Sequence, residues 1–283
     1  MSEHIVDAAG NRHTTAGDEA RIVSLVPSIT ELLFALGLDQ QIVGRTGFCV
    51  HPRERVRAVP KVGGTKSVRI DAVRALKPTH AIVNIDENER TTVDELRAFV
   101  PHIVVTHPLV PEDNRALFAL LGAIFDRQQA AQRLTEALNT QLEAAQAHHW
   151  PPQRVLYVIW RDPWMTVARD TYISAMLRLV NWHTLPAVDG GAAGAQRYPA
   201  FDLSVPWLDG IDRILLSTEP YRFTQSHCDA LAQALQAVGK STGKLTRKHA
   251  GKRIELIDGE QVSWYGSRAI EGIGYLRRYA SRH

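Results

Sequence analysis

From Asp126 to His149 the chain contains no glycine and no proline, and Ala, Gln, Glu, Leu and Arg dominate it. Leu134, Leu138 and Leu142 repeat at four-residue spacing, Asp126 stands where an N-cap would, and Pro151-Pro152 ends the run. At 1.5 Å per residue such a helix reaches ~35 Å, the width of a domain, and it lies in the middle of the chain. Whatever precedes it and whatever follows it must therefore pack as separate bodies or around a long rod.

Both flanks alternate strand and helix. Before the helix, Arg21–Val26, Gln41–Gly44, His80–Asn84 and His102–Thr106 are short, apolar and rich in β-branched residues, as expected of strands buried on both faces. Helical patterns over Ile70–Leu76 and Thr92–Phe99 separate the later ones. Ser28 and Glu31 have capping-box spacing ahead of Leu32, Leu33 and Leu36, and Gly37 is placed to end that helix. After the long helix, Arg154–Ile159, Met165–Val167, Arg213–Ser217 and Arg253–Ile257 read as strands, and Tyr172–Val180, His227–Val238 and Ala269–Tyr279 as helices. The pattern predicts an α/β fold: two lobes with mainly parallel sheets, 1–125 and 151–283, joined by the helix of 126–150, with a ligand cleft between the lobes.

The composition narrows the chemistry. With 33 basic against 30 acidic residues the chain has no strong charge bias, and its densest basic tract, Lys240–Arg253, lacks interleaved aromatics, which argues against nucleic acid. Two cysteines, Cys49 and Cys228, cannot build a disulfide framework. No apolar run reaches the ~18 residues of a membrane span. Met1-Ser2-Glu3-His4 lacks the charged and apolar regions of a secretion signal, so the expectation is that either Met1 is a native cytoplasmic start or a leader has been removed or omitted. Val26-Pro27-Ser28-Ile29-Thr30 carries neither a dinucleotide nor a P-loop glycine pattern, and Val62-Gly63-Gly64-Thr65-Lys66 has no strong strand before it. The nucleophile elbow G-x-S-x-G is missing, as are H-E-x-x-H and C-x-x-C. No catalytic constellation emerges, and the expectation is a protein that is not an enzyme.

Parallel sheets present the carboxyl ends of their strands to ligands, so the loops there hold the candidate site. The first lobe supplies Arg45, Phe48, Cys49, His51, Asp86 and Glu87, and the second Trp160, Trp164, Tyr221, Trp264, Tyr265 and Arg268. Aromatic rings offer broad rigid contact and arginine offers bidentate anion contacts, which suits a large flat or anionic ligand. Trp264 is the expected hot spot. Cys49 and His51 have three readings that the spacing leaves open: structural, hydrogen-bonding, or ligation of a metal such as cobalt.

Arg21 to Gly37, with its Val26-Pro27-Ser28-Ile29-Thr30-Glu31-Leu32-Leu33 core, resembles the opening of the solute-binding proteins of iron-chelate and vitamin B12 ABC importers. Val62-Gly63-Gly64-Thr65 followed by Ile70 to Pro78 resembles that family's next segment, Val6 to Arg12 its first hairpin, and Asp126–His149 its rigid backbone helix. Among relatives the cobalamin binders are most similar. The resemblance implies a bilobal, monomeric binding protein that needs no cofactor and holds cobalamin, haem or a ferric siderophore as its ligand. It also implies a periplasmic location, against a cytoplasmic one if Met1 is the native start. In that family one acidic side chain per lobe docks on permease arginines. The first such position falls on Asp71; the second falls near Ser204, where the acid is missing and Asp202 is the nearest substitute. A cytoplasmic protein that binds or senses a corrinoid or metal chelate, uncoupled from transport, is the alternative.

Overall fold

The computed structural model describes residues 5–192, 194–241 and 253–282, so most of the basic tract at 240–253 lies outside the described residues. A hairpin of β1 (Ile5–Val6) and β2 (Arg12–His13) opens the chain. There follow β3 (Ile22–Ser24), α1 (Pro27–Ala35), β4 (Ile42–Arg45), α2 (Arg53–Val56), α3 (Ile70–Ala75), β5 (His80–Asn84), α4 (Arg90–Arg97), β6 (His102–Thr106), α5 (Asn114–Ile124) and α6 (Gln128–Gln146). Then come β7 (Gln153–Val158), α7 (Tyr172–Arg178), β8 (Trp182–Thr184), β9 (Arg213–Ser217), α8 (Gln225–Ser241), β10 (Arg253–Ile257), α9 (Gly259–Ser263) and α10 (Arg268–Ala280).

The chain divides into two compact units, Met1–Thr140 with Tyr265–Ile270, and Gln141–Trp264 with Glu271–His283. The first unit holds a parallel sheet of order β4-β3-β5-β6, the second a parallel sheet of order β10-β9-β7-β8. In each, the first strand of the sheet lies beside both the second and the third in sequence. The expected α/β class with two mainly parallel sheets is thus observed.

In the first unit Val23, Leu25, Ala81, Val83, Ile103 and Val105 share a core with Val73 of α3 and Leu96 of α4. Ile22, Ile82 and Val104, the alternate residues of the same strands, point to the other face and are equally buried. Both faces are covered, which is why these strands are apolar throughout. In the second unit Leu156, Val158, Ile214 and Leu216 pack with Cys228, Leu231 and Leu235 of α8.

Helix α6 is unbroken over Gln128–Gln146. It begins two residues later than the composition suggests because Asp126 takes a left-handed φ of 55° and forms the corner from α5 instead of capping. The Arg127 amide donates to the Gly122 carbonyl across that corner. Two other local expectations are corrected. Ser28 and Glu31 make no capping box, since α1 begins at Pro27 after Val26. Met165–Val167 is not a strand; Met165 makes only isolated bridges to Trp160 and Ala200. Strand β8 and helix α5 lie where the sequence pattern predicts no element.

Candidate functional site

The strand order reverses between β3 and β5 in the first sheet and between β7 and β9 in the second. Such switch points open a crevice beyond the strands' carboxyl ends, the usual ligand site of open α/β sheets.

At the first switch point the loop after β5 runs Ile85-Asp86-Glu87-Asn88. Asn88 ties the crevice together: its Nδ2 donates to the carbonyls of Leu25, past β3, at 3.2 Å and of Thr65 at 3.0 Å, while its Oδ1 accepts from the Asn84 amide. Asp86 Oδ2 stands 3.5 Å from His107 Nε2, past β6. Beside them, the loop after β4 is clamped from within. The buried Arg45 guanidinium donates to the Val56 and Thr46 carbonyls. Cys49 is fully buried; the Thr30 hydroxyl donates to its sulfur at 3.0 Å, and the sulfur shares a hydrogen bond of 3.2 Å with Thr46 Oγ1. Burial pushes its thiol pKa up, partly offset by those hydroxyls, so the sulfur stays protonated. Arg45 and Cys49 therefore build the loop and do not face a ligand. The same loop pushes Phe48 outward, 62% exposed, its ring resting on the backbone at Gly64, where a Cβ would come within 3.3 Å of it. His51 is half-buried after it. Among the described residues no group of three His, Cys, Asp or Glu side chains could hold a metal ion.

Tyr265 and Arg268, expected on the second lobe, belong to the first unit because the chain returns to it at Tyr265–Ile270. The Tyr265 hydroxyl donates to Glu87 at 2.6 Å. Burial, then the Glu87 charge, pushes that phenol's pKa well up. Arg268 grips Glu31 with two hydrogen bonds of 2.8 and 2.5 Å, and the Gly266 amide donates to Asn114. Glu87 and Arg268 are thus engaged in fastening this segment.

At the second switch point the loops after β7 and β9 carry a chain of rings. Trp160, 40% exposed, sets its edge against Tyr221 at 5.5 Å between centroids; Tyr221 meets Phe223 at 4.5 Å, and Phe223 stacks on Trp164 at 6.2 Å. His227 of α8 stands edge-on to Tyr221 and Phe223, and the Arg161 guanidinium lies over Trp164. Trp264 departs from expectation. It is 7% exposed, and its indole N–H donates to Glu219 Oε1 at 2.7 Å, which also accepts from Ser263 Oγ. Burial raises the pKa of Glu219, partly offset by those donors. Trp264 is an internal anchor and not a contact surface. The structure thus leaves Asp86, Trp160, Trp164 and Tyr221 at the switch points and Phe48 in the loop after β4; Asn88, Phe223 and, past β6, His107 join them. The last three lie in the strand-end loops to which the sequence already points: Asn88 beside Asp86 and Glu87, His107 after its strand, and Phe223 among the aromatics of the second lobe.

A family model described as "Periplasmic binding protein" matches residues 22–195. The chain belongs to the periplasmic binding protein family. An uncharacterized ABC transporter substrate-binding lipoprotein of Bacillus subtilis is 23% identical over 96% of this chain and 83% of its own length. A vitamin B12-binding protein of Pectobacterium atrosepticum is 23% identical, and the match spans 56% of this chain and 59% of that relative. Among solved structures, the periplasmic vitamin B12 binding protein of Vibrio cholerae superposes with a TM-score of 0.72 at 18% identity, covering 93% of this chain and 97% of that one. The apo periplasmic heme-binding protein of Roseiflexus gives 0.74 at 21% identity, covering 93% and 98%. These structures share the periplasmic binding protein fold with this chain.

Proposed function

We propose that this protein is a substrate-binding component of an ABC importer that captures a large metal chelate, a corrinoid in the first place, and performs no turnover. The observation that carries the reading is the exposure of Phe48 in the strand-end loop after β4 and of Trp160 at the second switch point of a binding-protein fold. Apolar rings held open to solvent suit the broad faces of a corrin or porphyrin. Asp86 with His107, and Arg161 over Trp164, add polar groups beside those rings for amide or carboxylate side arms. The sequence relatives described as vitamin B12-binding proteins favour the corrinoid over haem or a siderophore. Asp71, exposed in the first turn of α3, and Asp202, exposed and fixed by the Ser204 amide at 2.8 Å, are the acids offered to permease arginines.

Calorimetric titration of the full chain with cyanocobalamin, haemin and a ferric siderophore tests the ligand. Saturable binding of cyanocobalamin with a Kd on the order of 1 μM or tighter is expected. Binding of haemin or the siderophore alone would reassign the chelate, and binding of none would overturn the reading. Asp71→Ala and Asp202→Ala should leave that affinity unchanged while abolishing ligand-stimulated ATP hydrolysis by the reconstituted importer. Unchanged stimulation would remove them from the docking role.

A further inference from the structure

The second unit contains a hollow of about 430 Å³ to which none of the strand-end loops contributes. It forms where Gln141 of α6, with His148 and Trp150 beyond that helix, faces Arg277 and Arg278 of α10 and Arg282 just after it. Its volume is that of a small-molecule site. No acidic side chain is among the residues lining it.

The carbonyls at the end of α10 attract cations, which accounts for two arginines in its last turn. It does not account for the Nε of Arg277, which is buried and has no hydrogen-bond partner among the described residues. A buried N–H of a charged group without an acceptor is costly, and three guanidiniums repel one another unless an anion sits among them. Gly274 opens the space further. A Cβ there would come within 3.3 Å of both Arg278 Nη1 and Gln141 Oε1, so glycine leaves room between them. Trp150, its indole N–H donated to the Ala145 carbonyl and its ring 4.0 Å from that of His148, gives the hollow a rigid aromatic wall.

We propose that this hollow is an oxyanion site for the phosphate group of a small organic phosphate, separate from the chelate site. The guanidinium forks match the paired oxygens of a phosphate, and the tryptophan wall takes the organic part. The phosphate can be that of a soluble ester or of a phospholipid headgroup.

The test is an NMR titration of the isotope-labelled full chain at constant ionic strength. The probes are inorganic phosphate, glycerol phosphate, and vesicles of phosphatidylcholine with or without phosphatidylglycerol. The Trp150 indole and the amides of α10 should shift saturably, with a Kd on the order of 1 mM or tighter for glycerol phosphate. Arg277→Gln combined with Arg278→Gln should weaken this at least about tenfold. Gly274→Ala should weaken it several-fold without lowering the melting temperature, because alanine is the better helix former. Shifts with the soluble phosphates place the ligand in solution; shifts only with phosphatidylglycerol vesicles place it in a headgroup; either supports the site. No shift with any probe, or shifts that persist in the double arginine variant, would overturn it.

Discussion

Trp160 keeps 40% of its surface open and rests on Tyr221, whereas Trp264 is 7% exposed and is hydrogen-bonded to Glu219. The two should answer substitution in opposite ways. Trp160→Ala should weaken chelate binding about thirtyfold, near 2 kcal/mol, because an exposed ring at a binding hot spot is lost while the core is untouched. Its unfolding midpoint should stay close to that of the parent. Trp264→Ala should instead lower stability by roughly 3–5 kcal/mol, since a buried indole is removed and Glu219 loses a donor. Calorimetry and chemical denaturation of the pair separate these outcomes, and a Trp264→Ala protein of unchanged stability would contradict the internal role. The same contrast shows what the sequence reveals of a site. Strand-end loops were legible, and with them nearly every side chain at the switch points. The direction of each side chain was not, because it depends on distant partners. Arg45 is turned inward by the carbonyls of Val56 and Thr46, Cys49 by the hydroxyls of Thr30 and Thr46, and Tyr265 is carried to the first unit by Glu87.

Elements were legible where one signal dominated. His80–Asn84, His102–Thr106, Arg213–Ser217 and Arg253–Ile257 are strands with the boundaries their apolar runs suggest. Strand β8 escaped because three residues on the sheet edge, Trp182 to Thr184, make no run and exist only through pairing with β7. Helix α5 escaped because Gly122 interrupts an almost wholly apolar stretch. The structure supplies the reason for that glycine: a Cβ there would come within 2.7 Å of the Ala131 Cβ on α6 and 3.3 Å of the Arg127 carbonyl oxygen. Close approach of the two helices at their corner thus requires it. Alanine gains up to about 1 kcal/mol of helix propensity, but overpacking a filled contact costs about 1–3 kcal/mol. Gly122→Ala should therefore be net destabilising, while Gly274→Ala in α10 should be neutral or stabilising. Urea midpoints of the two variants check this, and equal shifts would show that backbone propensity decides at both positions. The opening hairpin is held differently. The buried Asp7 carboxylate accepts from the Val105 amide, from Asn11 and Ala9, and from His13 Nε2. Asp7→Ala leaves the Val105 amide and His13 without that acceptor and should cost about 2–4 kcal/mol, read as the unfolding midpoint.

Over the whole molecule, the two sheets repeat one strand order with no sequence likeness needed to produce it, since each strand–helix unit packs back on its sheet in the same way. Parallel strands buried on both faces carry polar residues at their ends, and that sets how the protein responds to acid. His80 begins β5, buried against the ring of Phe125 and stacked on His102 at 4.7 Å. Burial first, then the neighbouring His102 and His13, lower its pKa to about 4. The folded protein thus holds His80 neutral where the unfolded chain, with an ordinary value near 6.5, takes up a proton. Between those values the unfolded state binds more protons, so stability is complete above about pH 6.5 and falls as pH drops toward about 4. Asp7 acts below that window. Burial would raise its pKa, but hydrogen bonds from Val105, Asn11 and His13 hold it below the usual carboxylate value, so its share is present above about pH 4 and lost as pH falls further. Acid destabilisation should therefore begin while the Asp7 carboxylate is still ionised. His80→Gln, which keeps a hydrogen-bonding group beside Thr79 but cannot titrate, should be less stable than the parent at neutral pH. It should also lose roughly 2–3 kcal/mol less between pH 7 and pH 4. Urea unfolding of both proteins across that range gives the comparison, and parallel pH curves would show that His80 carries none of the acid sensitivity.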